Sequence, residues 1–134
     1  MKVVNFEFQL RTKGEIEVID ITSKIRELVR NSGVRNGVVI VFVPGSTAAI
    51  STIEFESNLI EDFKELLSKL AEKGGWRHPI NAHSHLRATL LSPSITVPIV
   101  DGELTLGVWQ QIVFIELDTR PRNRRVIVQV IGTT

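Results

Sequence analysis

The sequence predicts a single α+β domain, residues 1–134, built on a largely antiparallel β-sheet with two main helices. Three observations carry this. The elements run ββαββα, then a less regular stretch, then four strands. Helices do not alternate regularly with strands, as a doubly wound parallel fold would require. Hairpin turn signals recur, as at Lys13-Gly14 and Asp101-Gly102.

Val4, Phe6, Phe8 and Leu10 alternate with Asn5, Glu7, Gln9 and Arg11, the period-2 pattern of a strand with one wet face. Glu15 to Ile19 repeats it across the Lys13-Gly14 turn, so the expectation is an N-terminal β-hairpin. Ile21, Ile25, Leu28 and Val29 fall at helical spacing, with Thr22 or Ser23 able to cap the start and Gly33 the end. Gly37 to Val43 is a continuous β-branched run stopped by Pro44-Gly45, which suits a central strand. Ala48 to Phe55 is read as the next strand. Leu59, Ile60, Phe63, Leu66, Leu67 and Leu70 form the clearest helical stripe; Asn58 with Glu61 resembles a capping box and Gly74-Gly75 a stop. Trp76 to Ser94 is less regular, with a short helix expected around Leu86 to Leu91. Val97 to Val100 and Glu103 to Leu106 read as a hairpin. Val108 to Leu117 and Arg125 to Ile131 read as two long strands linked by a polar turn, Asp118 to Arg124.

Composition narrows the function. Sixteen basic residues stand against 15 acidic ones, a net charge of +1, which argues against a dedicated nucleic-acid binder. With no cysteine, thiolate nucleophiles and cysteine-based metal sites are excluded, and a transition-metal site must use His and carboxylates. No stretch reaches the roughly 20 apolar residues of a membrane span, and the N-terminus lacks a signal-peptide core, so the expected location is cytoplasmic.

All three histidines, His78, His83 and His85, lie within eight positions where hydrophobic periodicity lapses. Histidine serves as a general acid or base, or as a metal ligand. His83 and His85 share a face only on an extended backbone; on a helix they diverge by about 200°. A metal reading therefore needs an extended segment and a third ligand. Glu54 projects on the predicted strand with Ala48, Ile50 and Thr52, where a carboxylate is costly to bury without a partner. The bland alternatives are loop histidines and a strand-end carboxylate reaching water. Pro44-Gly45-Ser46-Thr47 follows the most apolar strand and offers two hydroxyls to an anion, or is a plain turn. Arg120 to Arg125 reads as a solvated turn rather than a phosphate-binding surface. Trp109-Gln110 can stack on and orient a ligand, or belong to the core.

The segments Asn81 to Ile99, Asp101 to Gln111 with its Gly-x-Trp-Gln pattern, and Val43 to Ala49 resemble the YjbQ-like family over nearly the whole chain. The resemblance implies an α+β antiparallel fold and a ring-like homo-oligomer, a trimer or hexamer. It also implies a secondary thiamine-phosphate synthase activity, which joins a pyrimidine diphosphate to a thiazole phosphate. The family's histidine before Leu-Lys/Arg-Ala matches His85, its strand carboxylate matches Glu54, and its Asp or His two residues earlier matches His83. Many members carry His where this chain has Gly45.

The combined expectation is an enzyme acting on phosphorylated small molecules. His85 and His83 would act as acid–base residues or, with Glu54, as ligands of a divalent metal such as zinc or magnesium. Ser46, Thr47 and Arg87 would hold phosphate oxygens, with Trp109 and Gln110 on the substrate. The alternative is a non-catalytic metal- or small-ligand-binding protein. A membrane partner is not expected, and nucleic acid is the least favoured.

Overall fold

The computed structural model describes residues 1–134. The elements are β1 (Lys2–Arg11), β2 (Glu17–Asp20), α1 (Thr22–Ser32), β3 (Asn36–Phe42), β4 (Ala48–Ile53), α2 (Ser57–Leu70), α3 (Ala82–Leu91), β5 (Ser94–Val100), β6 (Glu103–Leu104), β7 (Gln111–Glu116) and β8 (Asn123–Thr133). They form two antiparallel sheets, one of five strands in the order β1-β8-β3-β5-β6 and one of three in the order β2-β7-β4. The α+β class follows from this arrangement. No helix is long and apolar enough to cross a membrane.

The two sheets pack face to face. Val39 and Val41 of β3, Val126, Val128 and Val130 of β8, and Ile112 and Phe114 of β7 meet in one core, closed at one side by Ile25 and Val29 of α1. The other face of the small sheet carries Ala49, Val113 and Ile115, which pack against Ile60 and Leu67 of α2 and Ala88 of α3. Strand β7 is therefore covered on both faces, which explains its unbroken apolar run.

The expected N-terminal hairpin does not form. β1 pairs with β8, placing Phe6 opposite Val128, and β2 pairs with β7, placing Val18 opposite Ile115. Each amphipathic strand buries more apolar surface beside a core strand than beside the other. The connection between them crosses from one sheet to the other, held by Thr12 N–H to the Arg122 carbonyl (2.9 Å) and Glu15 N–H to the Asp118 carbonyl (2.7 Å). The turn after β7 does the same in reverse, so β7 and β8 are not hairpin partners.

Local signals were mostly sound in type and wrong in detail. Helix α1 does end at Gly33, which adopts φ 74°. Its start is held by Asp20, whose carboxylate accepts from the Thr22 N–H (2.9 Å) and hydroxyl (2.6 Å). Helix α2 is capped by Glu56, accepting from Asn58 N–H (2.6 Å) and Leu59 N–H (3.2 Å), not by an Asn58–Glu61 box. It ends at Leu70, before the glycine pair. Helix α3 begins at Ala82, four residues before the expected Leu86, and so takes in the histidines. β7 begins at Gln111, leaving Trp109 in a turn. Gly37 and Gly132 face each other across β3 and β8, where a β-carbon on Gly37 would lie 2.0 Å from the Ile131 carbonyl oxygen.

One polar contact joins the two sheets inside this apolar frame. Glu116, at the end of β7 and fully buried, meets Arg124, near the start of β8 and 4% exposed. Arg124 donates through Nε to Oε1 (2.8 Å) and through Nη2 to Oε2 (2.5 Å), a bidentate pair. Removing one partner strands a buried charge, which typically costs about 3–5 kcal/mol. Glu116→Gln is expected to lower the urea-unfolding free energy by about that amount, while Glu116→Gln with Arg124→Met loses less than the two single changes summed. Strict additivity in that cycle would show the pair to be energetically uncoupled.

Candidate functional site

Four segments converge where β7 ends. They are the β7 terminus with Glu116 and Asp118, the crossing loop Thr12 to Ile16, the β3–β4 turn Pro44 to Thr47, and the first turn of α3. Hydrogen bonds to Glu116 and Asp118 from Thr12, Glu15, Thr47 and Asn81 tie these segments together.

Glu116 anchors the deep end. Besides Arg124 it accepts from the Thr12 hydroxyl (2.7 Å) and the Asp118 N–H (3.0 Å). Arg124 also donates to Thr47, at its hydroxyl (2.8 Å) and carbonyl (3.2 Å). The whole carboxylate and guanidinium are thus satisfied by neighbouring segments. Gly45 stays bare beside them, since a β-carbon there would come within 3.1 Å of Arg124 Nη1.

Asp118 links this layer to α3. It accepts from the Thr119 N–H (2.8 Å), the Asn81 amide (3.4 Å) and the Thr47 hydroxyl (3.4 Å), and it pairs with Arg122. Burial pushes its acidity down, but the hydrogen bonds from Thr119, Asn81 and Arg122 and the Arg122 charge outweigh that. The carboxyl therefore titrates below the ordinary 3.8.

Glu15 lies across from it on the crossing loop. Its carboxylate meets Lys73 Nζ (2.9 Å), His83 Nε2 (3.1 Å) and Arg87 Nη1 (3.3 Å). Flanked by two cations, Glu15 acts as an acceptor, so the His83 proton it receives is carried on Nε2. The other nitrogen, Nδ1, is buried without a partner, as is the hydroxyl of the adjacent Ser84. A histidine oriented by a carboxylate through one nitrogen and free at the other is the arrangement of a general acid–base group.

The expected site residues divide. His83 and Thr47 belong to this convergence, and Ser46 sits exposed beside Thr47 on the same turn. Arg87 is buried and committed: it donates to the Ala71 carbonyl through Nε (3.1 Å) and Nη2 (2.7 Å) and to Glu15. It ties α3 to the end of α2 and has no free face for phosphate. His85 points elsewhere, its ring centroid 4.9 Å from that of His78. Glu54 lies past the end of β4 in a groove with Phe55 and Trp109. Gln110 braces the turn, accepting from the Gly107 N–H (3.0 Å) and donating to the Thr52 hydroxyl (3.0 Å).

Within one chain, the three residues expected to share a metal are held apart. A helical backbone turns His83 and His85 about 200° apart. Nε2 of His83 is occupied by Glu15, and Glu54 faces a separate groove. No three His, Asp or Glu side chains in the chain are placed to hold a metal ion. Glu15, Glu116, Asp118 and Arg124 were missed. Glu116 had a usable signal, a carboxylate inside the run Ile112 to Leu117, which demands a buried cation; Glu15 had none.

The lowered Asp118 pKa gives a signed pH dependence. Its contribution to stability is complete above the ordinary 3.8 and is lost as pH falls through the depressed folded value. The stability gap between the native chain and Asp118→Asn, read by urea unfolding, should therefore be constant near pH 6 and close below about pH 4. A gap unchanged down to pH 2.5 would contradict the ion-pair account.

The model for the family described as "UPF0047 protein YjbQ-like" matches residues 6–133. A UPF0047 protein of Methanothermobacter thermautotrophicus is 46% identical over 98% of this chain and 94% of its own. Another, from Archaeoglobus fulgidus, is 43% identical over 93% and 99%. Among solved structures, a hypothetical protein of Aeropyrum pernix superposes with a TM-score of 0.91 at 38% identity, covering 96% of this chain and 98% of that one. A YbjQ-like protein of unknown function from Sulfolobus solfataricus gives 0.89 at 33%, covering 98% and 99%. Sequence and fold agree across almost every residue, and the chain belongs to the UPF0047 (YjbQ-like) family.

Proposed function

We propose that the chain is an enzyme acting on phosphorylated small molecules, with His83 as its acid–base group. The observation that carries this is the Glu15–His83 pair, a carboxylate fixing one ring nitrogen while Nδ1 is left without a partner. In the pyrimidine–thiazole condensation that the family resemblance suggests, the thiazole nitrogen attacks the pyrimidine methylene carbon. The new C–N bond forms as the C–O bond to diphosphate breaks. Imidazolium His83 would give its Nδ1 proton to the departing diphosphate, while Glu15 balances the charge on the ring. Ser46, on the exposed turn beside Thr47, would donate to phosphate oxygens.

Nδ1 is closed from solvent, so substrate entry requires movement of its surroundings. The stretch Glu72 to Ile80 between α2 and α3 is exposed throughout and has no helix or strand, and its Lys73 reaches Glu15. Its displacement would open the histidine. The same enclosure favours the second reading, a non-catalytic small-ligand-binding protein. One experiment separates them: diphosphate release from an aminopyrimidine diphosphate with thiazole phosphate. An acid–base histidine contributes about 10²–10⁴-fold, so His83→Ala and Glu15→Gln should both lose activity on that scale while His85→Ala retains it. Equal turnover in His83→Ala defeats the assignment; binding of either compound without turnover in the native chain supports the binding protein.

The outer face of the five-stranded sheet supports a homo-oligomer, trimer or hexamer. Val3, Ile131, Val38 and Pro98 form one apolar row across four strands, with Val3 57% exposed. Light scattering of the purified chain is expected to give a multiple of the 15.0 kDa protomer mass, reduced by Ile131→Glu. A monomer at micromolar concentration would rule the interface out.

A further inference from the structure

At the other end of the sheets a second hollow, about 200 Å³ in volume, opens between α1 and the β5–β6 turn. Its polar lining is Arg26, Arg30, Arg35 and Glu103, over Val29 and Leu104. β3 runs seven residues from beside Arg35 to the turn that carries Thr47. At about 3.3 Å per residue, the hollow lies roughly 20 Å from the histidine site.

Its charge is not internally balanced. Arg11, Arg87, Arg122, Arg124 and Arg125 each have a side-chain partner. Arg26, Arg30 and Arg35, all exposed, have none, and unlike Arg77 and Arg120, which also lack one, they converge on a shared hollow together with Glu103. Arg26 and Arg30 stand four apart on one face of α1, a spacing at which like charges repel. Arg35 is held firmly. Its N–H donates to the Thr133 carbonyl and its carbonyl accepts from Gly102 N–H, both at 2.8 Å. Its guanidinium lies against the bare backbone of Gly102, where a β-carbon would come within 2.9 Å of Nη1. The site thus has three fork-shaped donors on a rigid helix and a pinned strand start.

We propose that this hollow binds a phosphate or diphosphate group. Planar guanidinia match the oxygens of a tetrahedral oxyanion and supply the missing countercharge. The volume is below the about 300–1,000 Å³ of pockets for drug-sized ligands, so it takes the anionic group and not a whole nucleotide. Glu103 sets the selectivity. A carboxylate only accepts hydrogen bonds, so it favours an oxyanion that brings a proton and repels one that does not. Phosphate monoesters and diphosphate are partly protonated near neutral pH, since the second phosphate pKa is about 6. Sulfate and the phosphodiesters of nucleic acid carry no such proton.

The test is calorimetric titration at low ionic strength with inorganic phosphate, pyrophosphate and sulfate. Phosphate or pyrophosphate is expected to bind at least tenfold more tightly than sulfate. Arg30→Gln and Arg35→Gln should each weaken binding about tenfold, and Glu103→Gln should remove the preference over sulfate. His83→Ala should bind as the native chain does, which keeps this site separate from the proposed catalytic one. Tighter pyrophosphate than phosphate identifies a diphosphate-bearing source, and the reverse a monoester; either order supports the site. Four results overturn it: no binding at millimolar concentration, equal affinity for sulfate, no change in Arg35→Gln, or tighter binding of a single-stranded oligonucleotide than of pyrophosphate.

Discussion

The Glu116–Arg124 pair is the contact around which the rest of this molecule is arranged. Apolar burial between two sheets is non-directional and by itself specifies their relative placement less sharply than a directional contact does. A bidentate ion pair is such a contact, because both nitrogens must keep their oxygens. Placed at the end of β7 and the start of β8, it sets how one sheet sits over the other. Its remaining hydrogen-bonding capacity then recruits Thr12 and Thr47, and through them the two loops that frame the candidate site.

From that anchor a continuous polar path runs to the surface. Asp118, two residues after Glu116 and bonded to it through its N–H, collects Thr47, Asn81 and Arg122. The backbone of Asp118 holds Glu15, whose side chain collects His83, Arg87 and Lys73. Arg87 in turn holds the carbonyls at the end of α2, so both helices of the outer layer are registered on the crossing loop. Buried polar groups are costly unless satisfied, and here nearly all are. The two exceptions, His83 Nδ1 and Ser84 Oγ, are consecutive residues in the first turn of α3. Unsatisfied atoms confined to one turn inside an otherwise complete network are what make that turn the candidate site.

The arginine-lined hollow is built on the opposite logic. Arg124 and Arg87 are spent on the fold, each enclosed and bonded to carboxylates or carbonyls. Arg26, Arg30 and Arg35 are left with open donors around a shared space. The sequence contains no cue that separates these two kinds of arginine. Burial and partner geometry alone distinguish them: they commit Arg87 to the fold, and in the Arg120 to Arg125 segment, read as a solvated turn, they bury Arg124 alone.

The α+β class and most element positions were legible in the amino-acid sequence, because hydrophobic period reports which side of a strand or helix faces the core. Family membership was legible too, since Asn81 to Ile99 and Gly107 to Gln110 carry a specific pattern. Pairing was not: β1 and β2 look like a hairpin locally, and only competition with β8 and β7 for the core separates them. The site was half legible. His83 stood out by composition, but its partner Glu15 is 68 positions away and follows an ordinary turn. Whether His83 and His85 shared a face depended on backbone conformation, which the tertiary docking of α3 against β4 and α2 decided. Periodicity is a local property and survives in one dimension; the partner of a charged side chain is a long-range property, and only the folded chain chooses it.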